Sequence, residues 1–307
     1  MKRRMTSMLI LAALLAVMAR SQVAHAQGSG EEGGGAGAAA ATDPSAILTQ
    51  FQFQNVFTPE TYDATGYSNS TILQPVLPFP VAMPGLKEII PAHIMRPTLH
   101  IINPSADPDG PTGEHGGLGD LTLLDAYVHD VEGFGTFILG YTAILPTATH
   151  AQLGRREWQL GPAAAVLYKE IPKTLLGVVY QQPFSFQSDA QQVLIQPILV
   201  RHLPDQWYVR WGELNWSIDT DTGNYNLPLN AAVGKVAEIG GQKLNIFVQP
   251  FYTPDSLRSG PASEWGVKLN VTFLFPDKKL GPLSGSLFSS GCNHGGRGHG
   301  RRESCCQ

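Results

Sequence analysis

Cysteine is nearly absent from this chain. Its three copies, Cys292, Cys305 and Cys306, all fall in the final sixteen residues, so no disulfide framework holds the central region together. With His294 and His299 they carry zinc-ligand chemistry. Their spacing matches no paired-ligand pattern, however, and two adjacent cysteines fit poorly around one tetrahedral ion. Glycine and arginine fill the gaps, so 277–307 reads as a disordered tail, with no metal site and no cofactor expected. Charge is scarce as well. Charged residues make up 15% of the chain, against about 25% in soluble domains. The net charge of −4 and the lack of a basic stripe in the central region exclude a nucleic-acid partner. Beyond the first 26 residues no apolar run approaches the ~20 residues of a membrane-crossing helix.

What is present begins with an export signal. Lys2, Arg3 and Arg4 form a charged start, Met8 to Val17 an apolar stretch, and Ala24-His25-Ala26 a small-residue site with cleavage after Ala26. The apolar stretch is too short to span a bilayer. Residues 27–46 are rich in glycine and alanine. They follow no strand and carry no Lys-Ser/Thr, which favours a flexible linker over a phosphate-binding loop.

From 47 to 276 the chain divides into about twelve strand-like segments with alternating connections. Long ones are read at 58–69, 103–118, 147–156, 185–191, 219–224 and 254–264. Short ones are read near Met83–Leu86, Glu132–Gly135, Ile171–Lys173, Leu203–Gln206 and Glu238–Gln242. Long loops at one end and tight turns at the other mark an outer-membrane barrel with both termini on the periplasmic side. The fold class expected is therefore all-β, a transmembrane antiparallel up-and-down barrel of about 12 strands.

Period-two patterning supports this. Trp265, Val267, Leu269, Val271, Phe273 and Phe275 share one face, and Gly266, Lys268, Asn270, Thr272 and Leu274 the other. The segment 158–168 repeats the design, with Trp158, Leu160 and Tyr168 on the apolar face and Gln159 on the opposite one. Eleven tilted residues at ~3.3 Å each cross a bilayer core. That places Trp158, Tyr168, Trp265 and Phe275 as membrane-interface aromatics. A soluble barrel alternates too, with its apolar face inward, and periodicity alone does not tell the two apart. Aromatics at the ends of the apolar face, scarce charge and long strands favour the membrane form.

Some residues resist the pattern. Trp207, Val209 and Trp211 lie on one parity and Leu214, Trp216 and Ile218 on the other, which a bulge at Gly212 would repair. Asp125 falls on the apolar parity with Leu121, Leu123 and Tyr127. Pro75, Pro97, Pro162, Pro183, Pro197, Pro228 and Pro250 each remove a ladder donor, so bulges, strand ends or rims are expected there.

The motifs, in order, are Phe53-Gln54-Asn55-Val56-Phe57, Leu73-Gln74-Pro75-Val76-Leu77-Pro78-Phe79, Gly117-Leu118-Gly119-Asp120 and Leu145-Pro146-Thr147-Ala148-Thr149. Trp158-Gln159-Leu160-Gly161-Pro162 and Trp265-Gly266-Val267-Lys268-Leu269 with Phe273-Leu274-Phe275-Pro276 follow. Over about 50–276 this resembles the outer-membrane barrel family labelled "MetA pathway of phenol degradation", often described as transporters. The resemblance implies a barrel of about twelve strands and a loose link to aromatic degradation, but brings no catalytic or ligand-site residue. Barrels of this type usually stop just after the last strand, where an aromatic resembling Phe275 is read by the assembly machinery. Here 277–307 follow.

The expected inward set is Gln50, Gln52, Gln159, Gln196, Asn226, Asn230, Asn245, Gln249, Lys268 and Asn270, rich in amides and lightly charged. Such a lining suits passive passage of small uncharged or aromatic molecules. The competing reading has these amides bonding each other in a closed, structural or ligand-binding barrel, with 27–49 as a plug. A barrel hydrolase would need a serine and a histidine in contact. His93, His100, His129 and His202 lie in or beside strands, and Ser185 and Ser217 are available. No Gly-x-Ser-x-Gly is present, so no enzyme is expected. Asp107, Asp109 and Glu114 of loop 103–118 fit no calcium loop. The expected partners are outer-membrane lipid, the barrel-assembly machinery and an unidentified small solute.

Overall fold

The computed structural model describes residues 35–79, 92–105, 115–212 and 214–275. The expected signal peptide, the turn near Met83–Leu86, most of loop 103–118 and the tail 277–307 lie outside the described residues. Twelve wall strands follow in chain order. They are β1 (Thr49–Tyr62), β2 (Ser68–Phe79), β3 (Ala92–Asn103), β4 (Leu121–Val131), β5 (Gly135–Leu145) and β6 (Gln159–Tyr168), then β7 (Thr174–Gln181), β8 (Gln192–His202), β9 (Trp207–Trp211, resuming at Trp216–Asp219), β10 (Ala232–Ile239), β11 (Gln242–Tyr252) and β12 (Ala262–Phe275). Short two-residue ladders extend several of them at one end, among them Gly117–Leu118, Tyr225–Asn226 and Leu229–Asn230.

Every strand pairs antiparallel with its sequence neighbours, and β1 pairs with β12 from Thr49↔Phe275 to Tyr62↔Ala262. That last ladder closes the sheet into a twelve-stranded barrel, leaving no unpaired edge. Connections 132–134, 169–173, 203–206 and 240–241 gather at one end, here the turn end, where β1 starts and β12 finishes. The other end is the loop end.

The two faces are inverted relative to a soluble barrel. In β12, Gly266, Lys268, Asn270, Thr272 and Leu274 are buried inside, whereas Trp265, Leu269 and Val271 are exposed outside. β6 repeats this, with Gln159, Gly161, Ala163, Ala165 and Leu167 buried and Leu160 exposed. A wall that is apolar outward and polar inward is stable only where lipid covers it.

The breaks in the sequence pattern have local causes. β9 is interrupted at Gly212, whose φ of +93° places a hypothetical Cβ 1.9 Å from the Pro197 carbonyl oxygen. Leu199 pairs with Trp211 and Ile195 with Trp216, so β9 gains one residue on β8. This is the bulge that the parity switch required. The prolines mostly break one flank only. Pro162 keeps its place opposite Tyr141 while the next rungs toward β7 are lost, and Pro250 stays opposite Val267 while the β10 side opens. The wall stays shut because the other flank is intact.

Two expectations need correction. The connection read as 58–69 is only 63–67, because β1 runs on past Pro59 to Tyr62 along β12, absorbing the proline at register shifts between Phe57 and Thr61. The stretch read as a flexible linker is, at Gly35–Thr42, a helix (α1). Alanine has the highest helix propensity, and the consecutive alanines outweigh the glycines once the helix is packed.

Candidate functional site

α1 sits inside the turn end of the barrel. Ala38 (1% exposed), Ala41 and Leu48 join an apolar cluster with Leu167, Val179, Val200, Tyr208, Val236 and Leu274 from the surrounding wall. A helix of small residues is what so narrow a socket admits. Tyr208 passes over Gly234, where any Cβ would meet the phenol ring within 2.3 Å, and donates to Asn245 Oδ1 at 2.7 Å.

Polar contacts fix the helix at its rim. Gln206 Oε1 accepts from the Ala38 N–H at 2.9 Å, satisfying one of the donors a helix leaves unpaired at its start. Thr42 Oγ1 lies 2.8 Å from His202 Nε2. Asp43 pairs with Lys169 at 2.6 Å, and the same ammonium donates to Ser45 Oγ at 2.8 Å. All three partners, Lys169, His202 and Gln206, belong to the turn end.

Above α1 the lumen holds a cavity of about 100 Å³. Its floor is Ala41, Thr42, Asp43, Pro44 and Ala46. Its wall mixes hydrogen-bonding groups, chiefly Gln50, Gln52, Gln74, Gln196 and Asn245 with the guanidinium groups of Arg96 and Arg210, and apolar side chains, among them Val76, Ile94, Val128, Ile138, Ile198 and Phe247, the two kinds alternating along the same strands. The arginines went unread in the sequence. Parity could have found both, since Arg96 alternates with Met95 and Pro97, and Arg210 with Val209 and Trp211. Arg210 lies over the Phe247 ring, 5.2 Å from its centroid.

The ten expected lining residues separate into two groups. Gln50, Gln52, Gln196 and Asn245 line the cavity. Gln50, Gln52 and Gln54 are joined in an amide chain, with donor–acceptor distances of 3.1 and 2.9 Å. It continues through Gln74 to Thr98 Oγ1 at 3.2 and 2.7 Å. Gln159, Asn230, Gln249, Lys268 and Asn270 are buried inside the wall but off the cavity, and Asn226 is half-buried toward the loop end. Gln249 Nε2 donates to Asn230 Oδ1 at 2.5 Å, and Asn270 Nδ2 to Thr272 Oγ1 at 2.9 Å. Gln249 Oε1 and Asn270 Oδ1 are buried acceptors that meet no donor among the described residues.

Of the interface aromatics, Trp158 and Trp265 are exposed on the outer face toward the loop end, where Trp265 Nε1 donates to Glu60 at 3.3 Å. At the turn end Tyr168 packs edge-on to Phe134, and Phe275 edge-on to Phe51. Ser185, His202 and His93 each bond other groups. Ser185 donates to Glu157 at 2.7 Å and His202 meets Thr42. His93 Nδ1 lies 2.9 Å from Asp125, whose other oxygen accepts from Tyr141 at 3.1 Å. That accounts for Asp125 on the apolar parity: two neighbouring strands satisfy the carboxylate.

No protein-family model matches the chain, and no curated protein matches it either. Among solved structures it is similar to the COG4313 outer membrane channel from Pseudomonas putida F1, at 15% identity and a TM-score of 0.53, over 74% of this chain and 94% of that one. A KdgM porin in complex with disordered oligogalacturonate (6% identity, TM-score 0.43) covers 74% of this chain and 99% of its own. The outer membrane phospholipase A of Escherichia coli (12%, 0.41) covers 78% and 98%.

Proposed function

We propose that the chain is an outer-membrane channel for passive passage of small, uncharged or aromatic molecules, closed in this state by α1. The observation that carries this reading is the luminal cavity itself, lined by amides, guanidinium groups and apolar side chains above a floor that includes the end of α1. Amides both donate and accept, so a neutral polar solute finds partners there, and the guanidinium groups of Arg96 and Arg210 add donors for an accepting group. The apolar side chains receive a ring or short chain. The fold shared with a protein described as an outer membrane channel agrees with this reading. The finer family label, with its link to aromatic degradation, rests on the ordered motifs alone.

The polar contacts that fix α1 are few and partly exposed, which suits a plug that leaves. Purified mature protein in a planar bilayer is expected to show a low resting conductance with brief openings, and a form lacking residues 27–48 a steady one. A second reading, a closed barrel with a structural or ligand-binding role, is favoured by the amide chain, which satisfies its own members. Equal silence from both proteins would establish it and remove the channel.

A further inference from the structure

The β2–β3 ladder is interrupted at mid-height. Leu73 pairs with Leu99 and, at unchanged offset, Leu77 with Met95, so Pro75 stands opposite Pro97. The rungs at 74–76 are missing between these flanks. Two prolines facing each other at a hydrogen-bonded position account for that loss. Each lacks the N–H that the pair would exchange, so both of its backbone bonds are lost, and the flanking positions 74–98 and 76–96, which are non-hydrogen-bonded pairs, have none of their own to replace them. Among the described strands this is the place where proline faces proline. Elsewhere a proline meets a residue that can still donate.

Side chains hold this seam in place of the backbone. Gln74 Nε2 donates to Thr98 Oγ1 across it at 2.7 Å. Gln74, Val76, Ile94 and Arg96, the inward residues on its two sides, also line the cavity. Toward lipid the seam is framed by Leu73, Leu77, Met95 and Leu99 around the two prolines, with no polar side chain among them. Just beyond Met95 lies its cross-strand partner Asp125, a carboxylate on the outer face held by His93 and Tyr141. A wall that only seals against lipid has little use for either feature.

We infer that the β2–β3 seam is a lateral portal, through which small amphipathic solutes pass between the luminal cavity and the membrane interior. This rests on the channel reading and adds an exit that the plug does not govern. The cavity bounds the solute: an apolar body no larger than about one ring, since its volume of about 100 Å³ is below the roughly 150 Å³ of an apolar cavity that takes up benzene. An acceptor group at one end would meet the amides and guanidinium groups. Opening parts the Gln74–Thr98 bond and spreads the two strands between the paired Leu73–Leu99 and Leu77–Met95 positions, where no backbone rung has to break.

The test uses the full mature chain with Cys292→Ser, Cys305→Ser and Cys306→Ser, and a cavity reporter, Ala165→Cys, in proteoliposomes. Two thiol reagents are compared, N-phenylmaleimide, which dissolves in the bilayer, and a sulfonated maleimide confined to water. Pro75→Val with Pro97→Val returns both N–H donors and heals the seam. Healing should slow N-phenylmaleimide labelling by about tenfold or more, since each restored hydrogen bond favours closure several-fold. The sulfonated reagent should be unaffected. Gln74→Leu, which removes the latch without adding a rung, should accelerate N-phenylmaleimide alone. Each variant's fold is checked by its mobility shift on heating. Unchanged N-phenylmaleimide rates in both variants, while the sulfonated reagent still labels, overturn the portal and leave the channel standing. Failure of both reagents to reach Ala165→Cys in the folded, unhealed barrel overturns both.

Discussion

A carboxylate introduced at Ala38 should expel the plug. Ala38 is 1% exposed, within the apolar cluster of Leu167, Val200 and Val236. Against ejection stand the polar contacts at the rim. The partly exposed Asp43–Lys169 pair contributes about 0.5 kcal/mol, and the Thr42–His202 and Ala38–Gln206 bonds about 1 kcal/mol each. Burial of three small or medium apolar side chains adds roughly 2–3 kcal/mol. The total is about 5 kcal/mol before the entropy of ordering α1 is subtracted. Ordering eight residues removes much of that sum, so the net hold is a few kcal/mol. An unpaired carboxylate in that socket costs at least as much. Ala38→Glu should therefore raise the open fraction by about 100-fold, taking 1.4 kcal/mol per factor of ten. The assay is the swelling rate of proteoliposomes in a small neutral sugar, beside Ala39→Glu, which places the same charge at an exposed position of α1. Equal, slow swelling of both variants, in protein that still shows the mobility shift, would refute the placement of α1 as the gate.

Other outcomes follow from the wall and its loops. Gly212→Ala should lower the unfolding midpoint by the equivalent of about 2–3 kcal/mol, because its positive φ and the nearby Pro197 carbonyl both exclude a side chain; urea titration of the heat-shift checks this. Val271→Arg on the exposed parity should cost about 2–3 kcal/mol in lipid bilayers, whereas arginine at the inward, half-buried Gln52 faces the cavity and its polar groups. Equal costs would contradict the assignment of faces. In the loop after β5, hydrogen bonds from Ser185 and then Ser188 hold the Glu157 carboxyl below the usual range. Its contribution to loop order is present above the ordinary carboxylate pKa and lost as pH falls through the depressed value. Protease cleavage of 182–191 should rise in that acid window, and with Ser185→Ala the rise should begin at higher pH. Asp125→Ala should destabilise the barrel by about 2 kcal/mol, since it leaves the Tyr141 hydroxyl and His93 without their shared acceptor in an apolar setting.

Much of the wall was legible because a strand's period is two. The parities of Trp265–Phe275 and 158–168 are those of the structure, and the switch between Trp207 and Ile218 located the Gly212 bulge. Which face meets lipid was not legible from periodicity, because a soluble barrel alternates identically; burial of Lys268 and Asn270 against exposure of Leu269 and Val271 shows it. α1 escaped because a helix of Gly and Ala up to its final Thr42 has no amphipathic stripe to read, its apolar surroundings being supplied by the barrel. The opposition of Pro75 and Pro97 escaped because it depends on register between two strands. Single-strand patterns say that a donor is missing but not which neighbour loses it. Arg96 and Arg210 were readable by parity, and were masked by the apolar residues around them.

The most direct test of the barrel is heat-modifiability of the protein from isolated outer membranes, comparing unboiled with boiled samples on a denaturing gel. A closed twelve-stranded barrel with a lipid-facing apolar wall should stay folded in cold detergent and change mobility once boiled. An unshifted band, with the protein recovered from the soluble periplasm, would mean that the exposed Leu269–Val271 face does not meet lipid and that the channel has no membrane to cross.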